Sequence, residues 1–229
     1  MWQGKKKAVT FSFDDGVLQD LRLIDIFNKY GLRATFNLNS GKLGTQNSRI
    51  LNGVLVYRDR VYARDVKRIY EGHEVAVHTV LHPNLNNLSD PEILDTVKRD
   101  RYNLSEIVGY DVVGMAYPCC AVTAHVKDVV RASGEVLYSR TVAATGLTSL
   151  PTDLFDFGCT LRSNASDLEE QALRFLESEP DSPALFSVWG HSYEFDIDNS
   201  WDRFERFCSL ISGKADIFYG TNREVLIGG

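Results

Sequence analysis

Three places in the 229-residue chain put chemistry-bearing side chains directly after short apolar runs. Phe11-Ser12-Phe13 ends in Asp14-Asp15-Gly16, Glu74–Val77 ends in His78, and Phe186–Trp189 ends in Gly190-His191. Two adjacent carboxylates leave one free to hold a metal and one free to act as a base. His78 and His82 stand four apart, so they share a face in a helix or converge across a strand-to-loop turn. Imidazole plus carboxylate is a normal zinc set; catalytic zinc takes three protein ligands and leaves a place for water. His191 suits a general acid, because imidazole titrates near neutral pH. The same residues also have plain structural uses. An Asp pair can cap the helix after it, two histidines can be one core and one surface group, and a loop histidine can bond backbone. His73, before a strand at the opposite end, and His125, opening a helix, are read as structural.

These residues need elements that aim them at one place. Ala8–Phe13, Ala34–Leu38, His73–His78, Val112–Tyr117, Glu135–Ser139, Leu185–Trp189 and Ile217–Tyr219 read as strands. Helices are expected over Val17–Tyr30, Tyr62–Glu71, Ser89 to about Val108, Ala124–Ala132, Ser166 to about Ser178 and Trp201–Ile211. Ser89-Asp90-Pro91-Glu92 and Ser166-Asp167-Leu168-Glu169 carry capping-box spacing. Residues 40–60, with an Asn52-Gly53 turn signal, read as a loop or hairpin beside the pocket mouth. Strands alternating with helices predict an α/β chain of βα units around a largely parallel sheet. With about seven strands, a distorted (β/α) barrel is preferred, as a single domain over residues 1–229. In such barrels the loops at the C-terminal strand ends build the site.

Composition narrows the function. Lys plus Arg number 25 against 31 Asp plus Glu, a net charge of −6. That excludes the basic footprint of a general nucleic-acid binder. Nothing approaches the ~20 apolar residues of a membrane-spanning helix, so no membrane partner is expected. No apolar segment of a signal peptide follows Met1-Trp2-Gln3-Gly4, so a cytoplasmic location with free thiols is expected. Oligomeric state is not legible.

Ser12-Phe13-Asp14-Asp15-Gly16 resembles the T/S-F-D-D-G motif of the polysaccharide deacetylases, the NodB-homology group of carbohydrate esterase family 4. His78-Thr79-Val80-Leu81-His82 matches that family's H-S/T-x-x-H motif, and the strand ending at His191 resembles its last motif, L-x-H. The motifs stand in the family's order from Phe11 to His191. The resemblance implies a NodB-like distorted barrel and a divalent metal on Asp15, His78 and His82. That metal is usually zinc, sometimes cobalt, manganese or nickel. It also implies Asp14 as general base, His191 as the acid that protonates the leaving group, and an acetylated carbohydrate as substrate.

Two departures matter. Where the family has R-x-P-Y, this chain has Ala116-Tyr117-Pro118-Cys119, so the arginine that pairs with the base is missing. Arg140, after the next strand, is expected to replace it bidentately, with Arg162 as the weaker candidate and solvent as the competing position for Arg140. Asp153-Leu154-Phe155-Asp156-Phe157 resembles the family's D-x-x-D-W. There Asp153, or failing it Asp156, is expected to orient His191. Cys119 can reach the metal or the acetyl pocket, but a buried space-filling thiol is the expected role; Cys120 has no assigned role. The leading function is metal-dependent removal of acetyl groups from a sugar, N-acetyl ahead of O-acetyl. A carbohydrate-binding relative without turnover and a hydrolase of another small amide are the alternatives.

Overall fold

The computed structural model describes residues 1–119 and 121–228. Cys120 therefore lies outside the described residues. Among the described residues eleven strands and eight α-helices follow one another: β1 Lys7–Asp14, α1 Asp20–Lys29, β2 Ala34–Leu38, β3 Ser48–Leu51, β4 Val54–Tyr57, α2 Ala63–Ile69, β5 Glu74–Val77, α3 Asp90–Val108, β6 Gly114–Ala116, α4 Ala124–Ser133, β7 Tyr138–Ala144, β8 Phe157–Cys159, β9 Leu161–Arg162, α5 Leu168–Glu177, β10 Ala184–Gly190, α6 Glu194–Ile197, α7 Trp201–Ile211, β11 Ile217–Tyr219 and α8 Asn222–Leu226. Nine strands form one sheet in the order β8-β7-β6-β5-β2-β1-β10-β9, with β11 beside β1, and its pairings are parallel. This is the α/β sheet-and-helix layering that the sequence pattern implies.

The two ends of that sheet, β8 and β9, are consecutive in the chain and separated only by Thr160. Thr160 closes the ring by side-chain bonds in place of a strand ladder. Its N–H donates to Ser187 Oγ (2.9 Å), and the Ser187 N–H donates to Thr160 Oγ1 (3.1 Å). The barrel is distorted at this seam.

β1 is buried along its whole length, as a central parallel strand covered on both faces must be. Phe11 and Phe13 pack against Phe27 of α1 and Phe204 of α7, with ring centroids 4.7 to 6.4 Å apart. Among the described residues no helix is long and apolar enough to cross a membrane.

Register sets the level at which side chains leave the sheet. Phe13 pairs with Gly190, Asp14 with Asn37, Leu38 with Val77, Val77 with Met115, and Ala116 with Arg140. Asp14, His78 and His191 therefore emerge at one height, at the C-terminal ends of β1, β5 and β10.

Several expectations need adjustment. β7 begins later and runs further than expected, because its distal half pairs with β8, Ala144 opposite Cys159. Arg140 therefore lies inside a strand, not after one. α1 starts at Asp20, since Val17 bridges to Arg60. At α5, Asp167 is the N-cap and makes no side-chain cap bond, so the second capping box does not form. Residues 40–60 do form a hairpin, β3 with β4, turning through Asn52 and Gly53 at positive φ.

Candidate active site

Asp14 ends β1, and its carboxylate is buried. Both of its oxygens lie 2.5 Å from Arg140 Nη2, and Oδ1 also accepts from Asn37 Nδ2 at 2.8 Å. Arg140 is fully buried on β7 and crosses the barrel interior. Its Nε donates to Ser12 Oγ (3.0 Å), its Nη1 to the Thr141 carbonyl (2.9 Å), and its guanidinium lies 4.8 Å from the Trp189 ring centroid. Ala116, its register partner on β6, presents only a methyl group at that level. Burial alone would push the Asp14 carboxyl up. The Arg140 charge, helped by His78 and His191, outweighs it and holds Asp14 below its ordinary value. Solvent is thus not where Arg140 points.

Asp15 leaves the strand at φ +87°, in the left-handed region. Thr79, His82 and Cys119 also have positive φ. Strained non-glycine residues cluster where the surrounding structure over-determines them, typically at functional sites. Arg60, from the loop after β4, donates to the Asp15 carbonyl and sets Nη2 3.0 Å from Asp15 Oδ1. That contact lacks hydrogen-bond geometry, so Oδ1 is buried without a hydrogen-bond partner among the described residues. Burial would raise the Asp15 pKa; Arg60 and the three nearby histidines hold it well below the usual carboxylate range.

His78 follows β5. Its Nδ1 lies 2.8 Å from the Ala116 carbonyl, which can only accept, so Nδ1 carries the proton and Nε2 presents a lone pair. Burial pushes its pKa down to about 4 and keeps it neutral. His82 places Nε2 3.8 Å from Asp15 Oδ1, and its ring centroid is 4.8 Å from that of His78. One ligand atom from each of Asp15, His78 and His82 falls within 4.8 Å of the others. An orphaned buried carboxylate oxygen and a pre-set imidazole tautomer fit a divalent cation. Asp100 of α3 steadies this loop, accepting from the N–H groups of His78 (3.0 Å) and Ser40 (2.8 Å).

His191 follows β10. Its Nδ1 is 3.2 Å from Glu194 Oε1, and Glu194 also pairs with Arg162 at 2.7 Å. Burial would lower the His191 pKa. The Glu194 hydrogen bond, with the charges of Asp14 and Asp15, raises it above its ordinary value. The arginine expected as second choice for Asp14 is therefore committed to Glu194.

Asp153 is a correction. It is paired with Arg131 on α4 (2.5 Å) and accepts from the Phe155 N–H (2.9 Å), and it makes no contact with His191. Asp156 is held by Lys127 (2.7 Å). The segment before β8 packs on α4, so both acids face that helix, and Glu194 holds the histidine. A carboxylate three residues past the histidine, in the turn where Glu194 N–H donates to His191 O (3.0 Å), was the available signal. Arg60 and Asn37 had none. Cys119 is exposed, not buried, with Sγ 3.4 Å from His82 Nδ1. His73 accepts from the Ala34 N–H and His125 pairs with Asp90, both away from the site.

A sequence model of the polysaccharide deacetylases matches residues 3–136. The chain belongs to the polysaccharide deacetylase family. The matched stretch contains Asp14, Asp15, His78 and His82, and stops before Arg140 and His191. No curated protein matches the chain. Solved structures with the same fold include the Streptococcus pyogenes deacetylase PplD in complex with acetate, at 21% identity and TM-score 0.57, over 68% of this chain and 64% of that one. A family 4 carbohydrate esterase from Streptomyces lividans in complex with acetate shares 16% identity at TM-score 0.58, over 95% and 93%. A family 4 pseudoenzyme from Bacillus anthracis is as similar, at 16% identity and TM-score 0.58, over 97% and 66%. Fold alone thus leaves turnover to be argued from the site of this polysaccharide deacetylase.

Proposed function

We propose that this polysaccharide deacetylase is a metal-dependent hydrolase that removes acetyl groups from a carbohydrate, N-acetyl groups by preference. The carrying observation is that Asp15, His78 and His82 bring one ligand atom each within 4.8 Å of the others, at the strand ends that also carry Asp14 paired with Arg140 and His191 bonded to Glu194. Asp15, His78 and His82 are the ligands. A divalent cation there, zinc by its donor set, supplies Lewis acidity toward an acyl oxygen and lowers the pKa of a water.

Asp14 is the base. Arg140 and Asn37 donate to its oxygens, fixing its direction and keeping it ionised, while each carboxylate oxygen retains lone-pair capacity for one more proton. His191 is the acid. Glu194 accepts at Nδ1, so the Nε2 proton is the one that can be handed to the departing nitrogen. An amide needs that proton because an amine anion is a very poor leaving group; hence the N-acetyl preference.

The non-catalytic reading rests on the missing arginine of the third motif; the pairing of Arg140 with Asp14 from the neighbouring strand supports the catalytic one. Acetate release from a panel of acetylated sugars, with and without a chelator, tests the proposal. Zinc-loaded protein should release acetate, and the chelated protein and Asp14→Asn should not. A zinc-loaded protein that binds these sugars and releases nothing would return the chain to the non-catalytic reading.

A further inference from the structure

Each acid of the site already has its own guanidinium. Asp14 is paired with Arg140, Asp15 with Arg60, and Glu194 with Arg162. Two further cations stand at the mouth with no carboxylate partner among the described residues, Lys42 and Arg58. Both come from the segment between β2 and α2.

Lys42 lies in a short turn, Ser40–Lys42, that is stitched to the ligand loop. Gly41 N–H donates to the Val80 carbonyl (3.0 Å), and Asn39 Nδ2 donates to the carbonyls of His78 (2.6 Å) and Thr79 (2.9 Å). Burial pushes the pKa of the half-buried ammonium down, and the Arg60 and Arg58 charges add to that against the opposing pull of Asp15 and Cys119. Arg58, also half-buried, sets its guanidinium 5.1 Å from the Tyr193 ring centroid, and that ring lies 5.0 Å from His191. Its Nε is buried without a hydrogen-bond acceptor among the described residues. One cation thus flanks the ligand side of the site and the other the acid side.

Like charges brought together at a half-buried mouth repel one another, and a divalent metal adds two more positive charges. The chain as a whole carries −6, so this rim runs against its average. Such surplus is relieved by an anion, and it raises the encounter rate with anionic ligands.

We propose that the substrate of this site is an anionic acetylated sugar, whose carboxylate or phosphate group is bound by Lys42 and Arg58 beside the acetyl group being removed. The inference rests on the deacetylase reading above and names its substrate class.

Initial rates on matched substrates with zinc-loaded protein test it. The neutral arm is an N-acetylglucosamine oligomer. The carboxylate arm is an oligomer of equal length alternating N-acetylglucosamine with glucuronate, and the phosphate arm is N-acetylglucosamine phosphate against the free sugar. At low salt, kcat/KM should favour at least one anionic arm by about tenfold, and the advantage should shrink as salt rises. Lys42→Glu and Arg58→Glu should collapse that ratio toward one or below. Equal kcat/KM in all arms, or an anionic preference that both variants retain, overturns the inference. If no sugar is turned over, the deacetylase reading fails separately. Calorimetric titration of the same sugars then decides the anion site: tighter, salt-sensitive binding of an anionic arm that Lys42→Glu abolishes supports it, and equal binding of neutral and anionic sugars overturns it.

Discussion

Arg140 pairs with Asp14 in a chain whose third motif lacks the family's arginine. Its head group meets Asp14 only because its own strand faces β1 across the interior and the register partner, Ala116, is small. Arg140→Met leaves a buried carboxylate without its cation. Removing one partner of a buried pair costs about 3–5 kcal/mol, and loss of an ionised base lowers the rate by about a hundredfold or more. Since burial then acts on Asp14 unopposed by Arg140, the acidic limb of the kcat/KM profile should move upward in pH. Arg140→Lys, which keeps the charge but cannot reach Ser12, Thr141 and Asp14 together, should fall between; pH–rate profiles of both variants check this. Cys119 acts on a different atom. Its Sγ at 3.4 Å is the side-chain contact of His82 Nδ1, and partners of a ligand's second nitrogen usually tune metal affinity by about 10–100-fold. Cys119→Ala should weaken zinc binding about tenfold in competition with a chromophoric chelator while Asp15, His78 and His82 remain; unchanged affinity would leave the thiol without a role there.

At the scale of elements, the β3–β4 hairpin and the helices make different contributions. The hairpin pairs with itself, and Val56 is its one fully buried residue. Its turn needs positive φ at Asn52 (+50°) and Gly53 (+79°), which a side chain at Gly53 makes costly. Gly53→Ala should therefore open the hairpin locally, by about 1–2 kcal/mol. Proteolytic nicking within residues 48–57 should accelerate, read by mass spectrometry, while the global melting temperature moves by no more than about 2 °C. α3 is the contrast. It is 19 residues long, and its Asp100 reaches two loops of the site. Here an element that looks like scaffold in the sequence also positions His78, a proposed metal ligand.

For the whole molecule, pH dependence of stability is set partly by groups far from the site. His73 is buried, its Nδ1 accepts from the Ala34 N–H, and burial pushes its pKa down to about 4. The unfolded chain takes up that proton near pH 6.5 and the native chain resists until about 4. Stability from this group is therefore complete above about pH 6.5 and lost as the pH falls below it. Urea unfolding at pH 7 and pH 5 should show the native protein losing about 2 kcal/mol more than His73→Asn, whose amide oxygen can accept the same N–H. Parallel slopes for the two proteins would place His73 outside this balance.

Much of this was legible in the chain because it is local. Apolar runs ended by Asp14, His78 and His191, with glycines and caps between them, are enough to specify alternating strands and helices. Parallel strands then put their C-terminal ends together, and the resemblance to the family names the expected ligand set there. Ala34–Leu38, Trp201–Ile211 and Ile217–Tyr219 needed no adjustment for the same reason. Partners separated by long stretches of chain were not legible. Arg60 reaches Asp15 across 45 positions with no signal in the chain, and Arg140, which reaches Asp14 across 126, was expected only because the resemblance left the base without its arginine, with solvent as the competing position. Both pairings depend on strand register and on which side chains leave space in the interior, and neither quantity is written in a local pattern. Asp153 illustrates the converse: a motif-like acid is drawn to Arg131 by a turn that packs on α4, and Glu194, one turn beyond His191, takes its place. Sequence alone determined which groups arrive at the end of the barrel; tertiary packing decided which charges they meet there, because an ion pair is chosen by distance in space and not along the chain.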